Sequence, residues 1–169
     1  MEITLEQLLH SRDQRWDMER LFLKAFPGKV LVVMTVVMPG KVKRDARTTV
    51  IANAAKAAVD AFLGPRVAIY FSNDAPTGFE GYWMVDGDAR AIKRQMCGIE
   101  DFHPLGRLFD IDVIRPDATP MPRTEVGFEP RRCLLCDHEA RWCMRNHTHS
   151  QEEIQQRIDA MVREYNAEE

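Results

Sequence analysis

One ten-residue run sets narrow limits on what this chain can fold into. Lys29 to Met38 (KVLVVMTVVM) is dense in β-branched and other apolar residues and is fenced by Pro27-Gly28 and Pro39-Gly40. No polar position alternates within it, so a strand formed here is buried on both faces and lies centrally in a sheet. The sequence that follows supplies the neighbours. Asp45 to Leu63 is Ala-rich, with Val50, Ala54, Ala57, Ala58, Ala61 and Phe62 at helical spacing, and Gly64-Pro65 closes it. Arg66 to Ser72 (RVAIYFS) reads as a strand, Asn73 to Gly78 as a turn, and Phe79 to Val85 as a further strand. A shorter helix is expected from Asp86 to Cys97, and Arg107 to Ile114 alternates as a fourth strand.

Strand, helix, strand, strand, helix, strand is the split βαβ order. It predicts an α+β fold with a ferredoxin-like (βαββαβ) antiparallel sheet, helices on one face, and a core over about residues 29–115. Leu5 to Phe26 adds an N-terminal helical segment, in which Ser11-Arg12-Asp13 reads as an interruption that caps a second helix. Arg115 to Arg132 is rich in Pro and polar residues and is expected to be irregular. Ser150 to Tyr165 has a capping pair in Ser150 and Glu153 and an apolar stripe of Ile154, Ile158, Met161 and Val162. The expectation is one domain over residues 1–169, with a C-terminal Cys/His-rich loop and helix over about 130–165.

Charge and hydropathy remove several function classes. Twenty-three basic against 26 acidic side chains leave a net charge of −3, which disfavours nucleic-acid binding by bulk attraction. No apolar run approaches the roughly 18 residues that a membrane span needs. The first residues, MEITLEQLLHSRDQRWD, lack the basic start and apolar centre of a signal peptide, so a cytoplasmic location is expected. Four cysteines are few for a disulfide framework, and three of them, Cys133, Cys136 and Cys143, fall in one short stretch.

The sharpest chemical feature is the segment His103-Pro104-Leu105-Gly106-Arg107-Leu108-Phe109-Asp110-Ile111-Asp112-Val113. On a strand, Phe109, Ile111 and Val113 point into the core, while Asp110 and Asp112 share the other face with Cα atoms about 7 Å apart. Two carboxylates so placed repel each other unless a cation sits between them, and Mg²⁺ suits hard oxygen ligands beside a phosphate-bearing substrate. The same spacing also suits the polar face of a half-exposed edge strand. Gly106 and Arg107 add close backbone approach and a fixed cation. Lys41, Lys43, Arg44 and Arg47 follow the Pro39-Gly40 turn at a helix start, which fits either an anion site or a solvated helix end. Arg90, Lys93 and Arg94 form a basic helical face directed to the surface. No Walker A loop or G-x-G-x-x-G fingerprint occurs.

Cys133-x2-Cys136-x6-Cys143, followed by His147 and His149, holds the ligand inventory of a Cys₃His zinc site. His138 is also within reach. Metal-free thiols packing the C-terminal lobe, or a redox pair, are the other readings.

Four motifs taken together resemble a known family. They are Leu9-x-Ser11-Arg12-Asp13-x-Arg15, Thr35-Val36-Val37-x-Pro39-Gly40, the His103 to Val113 segment, and Pro130-Arg131-Arg132-Cys133-Leu134-Leu135-Cys136. Over about residues 5–165 the chain is similar to the citrate lyase holo-acyl-carrier-protein synthases (CitX), also called apo-citrate lyase phosphoribosyl-dephospho-CoA transferases. The resemblance implies a nucleotidyltransferase. Its donor would be 2′-(5″-triphosphoribosyl)-3′-dephospho-CoA, its acceptor a serine of the citrate lyase acyl carrier protein, and its leaving group pyrophosphate. The family's G-R-x-[FW]-D-x-D-V motif is matched at Gly106, Arg107, Phe109, Asp110, Asp112 and Val113, with Phe109 where members often have Trp. Its R-C-x-x-C, later Cys and T-H elements are matched at Arg132, Cys133, Cys136, Cys143, Thr148 and His149, which favours His149 over His147 as the fourth zinc ligand.

The implied roles are Mg²⁺ held by Asp110 and Asp112, and a pyrophosphate clamp from Arg107 with Lys43 or Arg12. The substrate lies near Gly40 and Gly106, and the serine proton goes to an aspartate or to His103. The competing reading is a non-catalytic adaptor that docks the carrier through a zinc-stapled lobe. In either case Arg131, Arg132, Arg141 and Arg145 offer a local basic face to an acidic carrier.

Overall fold

The computed structural model of the chain describes residues 1–168. Its centre is the run that opened the sequence: β1 (Val30–Val36), with Val30 to Met34 all buried. β2 (Val67–Ala75) and β3 (Gly78–Val85) form a hairpin, and β4 (Phe109–Ile114) completes a four-stranded sheet in the order β2-β3-β1-β4. Every neighbouring pair is antiparallel. The fold is therefore α+β. The hairpin strands run further than the sequence suggested: pairing continues to Ala75↔Gly78, so only Pro76 and Thr77 remain as the turn expected over residues 73–78. At the opposite edge of the sheet, β4 begins two residues later than expected because Gly106–Leu108 forms a 3₁₀ turn.

One face of the sheet is covered by α2 (Ala46–Leu63), α3 (Ala89–Phe102) and α5 (Gln151–Glu168). Val32, Met34, Trp83, Val85, Phe109, Ile111 and Val113 of the sheet pack there against Ile51, Ala55 and Val59 of α2 and Ile92, Met96 and Ile99 of α3. Alanines on α2 let it approach the sheet closely. Ile158, Met161 and Val162 of α5 join the same cluster, so the last helix shares the main core.

The other face is not bare, and this corrects the expectation of helices on one face only. α1 (Leu5–Ala25) is a single unbroken helix of 21 residues across it, without the interruption read at Ser11-Arg12-Asp13. Thr4 caps it through a reciprocal pair with Gln7, and Leu23, with Phe22, Phe26 and Met18, packs on Leu31, Val33, Tyr82, Met84 and Ile114. A strand as apolar as β1 demands cover on both sides, and α1 supplies the second layer.

α3 extends five residues beyond its expected end, and Lys93, read as surface, is buried on it at 4% exposure. Residues 115–132 are irregular apart from a 3₁₀ turn at Arg123–Val126, with Met121 and Val126 packed on Cys97. A seven-residue helix, α4 (Ala140–Asn146), separates this stretch from α5, whose Ser150–Glu153 capping pair forms as expected. Among the described residues no helix is long and apolar enough to cross a membrane.

Candidate active site

The register sorts the α1-facing side of the sheet into rows, because residues directly opposite each other in antiparallel pairs share a face. The first row, Ile69, Met84, Leu31 and Ile114, is apolar throughout. The next, Phe71, Tyr82, Val33 and Asp112, ends in a carboxylate. The third, Asn73, Glu80, Thr35 and Asp110, is polar throughout. The sheet surface thus passes from apolar to acidic toward the end where β1 exits and β4 enters.

α1 follows the same gradient. Its C-terminal half sits on the apolar row, whereas Arg15 and Glu19, one helical turn apart, lie over the carboxylates. Arg15 pairs with Glu80 at 3.6 Å, and the Tyr82 hydroxyl donates to Glu80 at 2.7 Å. Burial and the nearby Asp112 charge raise the Glu19 carboxyl to about 7, against the pull of Arg15. The Asp112 side chain is reached by solvent yet lies deep among protein atoms. Lost hydration, and then the Asp110 charge, push its pKa up. Asp110 is half exposed and is paired with Arg131, whose Nη1 donates to Oδ1 at 3.0 Å.

The structure separates the remaining sequence candidates into three groups. Asp110 and Asp112 come together as expected, with Arg12 exposed on the helix that overlies them. Arg107 and Gly106 lie just upstream of the pair and make contacts with the scaffold. Arg107 donates to the Cys133 carbonyl, and Gly106 abuts the last turn of α3. His103 faces away from the carboxylates. It caps the end of α3, its Nδ1 accepts from the Leu105 N–H at 3.0 Å, and its ring packs between Phe109 and Tyr165. Burial there lowers its pKa.

The basic loop is largely committed to internal contacts. Lys43 donates to the Met38 carbonyl at 2.7 Å, and burial lowers its pKa. Gly40, at φ +93°, is pressed against Gln151 of α5. Arg44 grips Asp74 through two nitrogens, and Arg47 spans Asp45 and Asp159. The free amides expected at the start of α2 are taken by Asp45, which accepts from the N–H groups of Arg47 and Thr48. Of the proposed carrier-facing arginines, Arg131 is turned inward, while Arg132, Arg141 and Arg145 are on or near the surface.

Sequence reasoning missed Glu19, Glu80 and Tyr82. The one available signal was the spacing of Arg15 and Glu19; Glu80 becomes visible only once its register with Thr35 is known.

The second site lies beyond β4. Cys133, Cys136, Cys143 and His149 place one ligand atom each within 4.8 Å of all the others. Sγ of Cys136 is 3.4 Å from Sγ of Cys143 and 3.4 Å from Nε2 of His149. Tetrahedral coordination with Zn–S near 2.3 Å spaces sulfurs by about 3.8 Å, so the cluster can hold a metal such as zinc. His147 instead ends α4 in a left-handed conformation, at φ +47°. Burial works against ionisation of Cys133, but the N–H groups of Leu135 and Cys136 outweigh it and bring the thiol down to about 7. Cys143 moves the other way. The Thr148 hydroxyl favours its thiolate, yet burial and the neighbouring Cys136 and Cys133 raise it to about 11.

Residues 3–165 match the family model described as apo-citrate lyase phosphoribosyl-dephospho-CoA transferase. Proteins of that name from Escherichia coli O157:H7 and Shigella boydii serotype 18 are each 34% identical over 168 residues, covering 98% of this chain and 91% of theirs. A protein named as a probable transferase of this kind from Escherichia coli strain K12 matches to the same extent. With nearly the whole of both chains aligned, this protein belongs to the apo-citrate lyase phosphoribosyl-dephospho-CoA transferase family.

Proposed function

We propose that the protein transfers the phosphoribosyl-dephospho-CoA group of 2′-(5″-triphosphoribosyl)-3′-dephospho-CoA to a serine of the citrate lyase acyl carrier protein, in the cytoplasm. The serine Oγ forms a bond to the α-phosphorus, the bond from that phosphorus to the bridging oxygen breaks, and pyrophosphate leaves with the electron pair. The family membership supports the substrates. The observation that carries the site is the Asp110–Asp112 pair at the acidic end of the α1-facing sheet surface.

Asp110 and Asp112 would hold Mg²⁺, since two like charges on one strand face, one with its pKa already raised by burial and then by the other, are suited to a divalent cation. When bound, Mg²⁺ neutralises charge on the polyphosphate oxygens. Arg12 and Arg15 of α1 would meet the triphosphate, Arg131 pairs with Asp110, and a site carboxylate takes the serine proton. Arg107 acts through the loop that it holds, and His103 is left out of the proton transfer because it faces the helical layer.

The Cys₃His cluster takes zinc as a structural ion in this reading, tying residues 133–149 into one lobe. The strand order β2-β3-β1-β4, with all neighbours antiparallel, supports a ferredoxin-like core, and the entry of α5 into the sheet's own core supports a single domain. The test is pyrophosphate release with donor and carrier together, with and without Mg²⁺, in the native protein and in Asp110→Asn and Asp112→Asn. Release that needs both substrates and disappears in the folded variants is expected. Full activity in both variants would overturn the assignment, and carrier binding without pyrophosphate release would favour an adaptor.

A further inference from the structure

β4 is the edge strand beside β1, and its outer side is bridged by backbone only at its end, where Ile114 meets Pro120. The outward N–H and C=O groups of such a strand ordinarily go to water or invite another strand. Here the peptide groups of Ile111, the residue between the two aspartates, are taken by side chains of α3. The Lys93 ammonium donates to the Ile111 carbonyl at 3.1 Å, and the Ile111 N–H donates to Oε1 of Glu100 at 2.7 Å. Lys93 and Glu100 stand two helical turns apart and are 4% and 3% exposed.

Glu100 does more than cap the strand. Its Oε2 accepts from Arg123 at 2.5 Å, and Arg123 also holds Asp101 at 2.5 Å. Its Oε1 lies 3.4 Å from Nη1 of Arg131, the same nitrogen that donates to Asp110 at 3.0 Å. The second Arg131 nitrogen, Nη2, donates to the Arg107 carbonyl at 3.0 Å. A chain of alternating charge therefore runs Asp101, Arg123, Glu100, Arg131, Asp110, with its middle member buried.

We propose that Glu100 and Arg131 are positioning residues that fix the orientation of Asp110 and Asp112. Glu100 holds the N–H of Ile111, the residue between the two aspartates, and through Arg131 it ties down one oxygen of Asp110. The other Asp110 oxygen, with the Asp112 carboxylate, stays open to the reacting groups. This inference rests on Asp110 and Asp112 as the reacting pair.

The test uses the full-length protein and the variants Glu100→Gln, Arg131→Gln and the double variant. Gln at position 100 keeps an acceptor for the Ile111 N–H but removes the charge that holds Arg131. Two readouts are taken: kcat and KM for pyrophosphate release, and Mn²⁺ affinity by electron paramagnetic resonance without substrate. Each single variant is expected to lose between about tenfold and a hundredfold in kcat and to weaken Mn²⁺ binding, the range seen when a group orienting a ligand is removed. KM for the carrier should stay within about twofold, because no contact with the acceptor is lost. The double variant should be no worse than the weaker single one, since both changes act through Asp110.

Native kcat and Mn²⁺ affinity in Arg131→Gln would overturn the proposal, as would losses that multiply in the double variant. If Glu100→Gln does not fold, Arg131→Gln decides alone, because Arg131 is partly exposed and its replacement leaves the core intact. Asp110→Asn and Asp112→Asn are run beside them. Native activity in those two would instead remove the reading on which the inference rests.

Discussion

Gly106→Ala isolates one consequence of the way β4 is attached. A Cβ built on Gly106 lies 2.4 Å from the Ile99 carbonyl oxygen and 2.5 Å from that of Glu100, with the Glu100 carbonyl carbon at 2.8 Å. Ordinary contact begins near 3.4 Å, so the 3₁₀ turn and the end of α3 must part by about 1 Å. The obstructing atoms are backbone, which cannot swing aside as a side chain does. Overpacking of this kind costs about 1–3 kcal/mol, and rigid neighbours place it at the upper end. Alanine recovers about 0.4–1 kcal/mol by restricting the unfolded chain, leaving a net loss of about 2 kcal/mol. For a chain of this size that is a fall in Tm of about 4–8 °C.

Activity should suffer more. The displaced turn leads into Phe109 and Asp110, and a shift of about 1 Å at a reacting group costs about a hundredfold in rate. Differential scanning calorimetry and pyrophosphate release on the same preparation measure both effects. An unchanged Tm would refute the packing argument, and a lowered Tm with native kcat would refute the link from Gly106 to the aspartates.

Three further outcomes are expected. Protein purified without chelator should carry about one zinc per chain by elemental analysis, as one Cys₃His set predicts; Cys136→Ser should lose it and melt earlier, and metal-free native protein would reject the site. Gly40→Ala should lower stability by about 1 kcal/mol, chiefly through its positive φ, since the clash is with the mobile end of Gln151; a Tm equal to the native one would contradict this. Without added Mg²⁺, Glu19→Gln should gain Tm relative to the native chain as pH rises from 4.5 to about 7, and the gain should then level off. The sign follows from the raised carboxyl. The folded state holds its proton through that window while the unfolded chain has lost it, so native stability falls with rising pH. A difference in Tm that does not change with pH would show that Glu19 is not held in the site as described.

What the sequence disclosed follows from how local each feature is. The two-sided burial of β1 and the alternation of Phe109, Asp110, Ile111, Asp112 and Val113 are properties of single strands, and both could be read directly. The three cysteines were equally local, whereas the choice of His149 over His138 and His147 came from the family resemblance, because all three histidines lie within reach along the chain. α1 was harder. Its apolar residues concentrate in the half that covers the apolar row, while Ser11, Arg12 and Asp13 lie toward the open end, so a continuous helix looked like a broken one. The acidic surface around Asp110 was hidden for another reason. Glu80 joins it only through two strand registers, and Glu19 only through the docking of α1. Lys93 was misread because a lysine on a helix is normally solvated; its burial depends on an edge-strand carbonyl eighteen residues away.

That buried pair also bears on what the network is for. Removing the charges of Lys93 and Glu100 from water costs several kcal/mol per ion, and the attraction between partners offsets this only where geometry and hydrogen bonds are good. Apolar residues of similar volume would cover the same strand edge at lower cost, but they would leave the Ile111 N–H and C=O without partners and release Arg131 from its anchor. A double change of Lys93 and Glu100 to Met and Leu separates the two roles. If the network serves packing, the variant matches or exceeds the native Tm and keeps its activity. If it serves orientation, the variant melts within a few degrees of the native protein while pyrophosphate release collapses. The second outcome is expected, because Lys93 and Glu100 both bind the backbone of Ile111, the single residue that has an aspartate on either side.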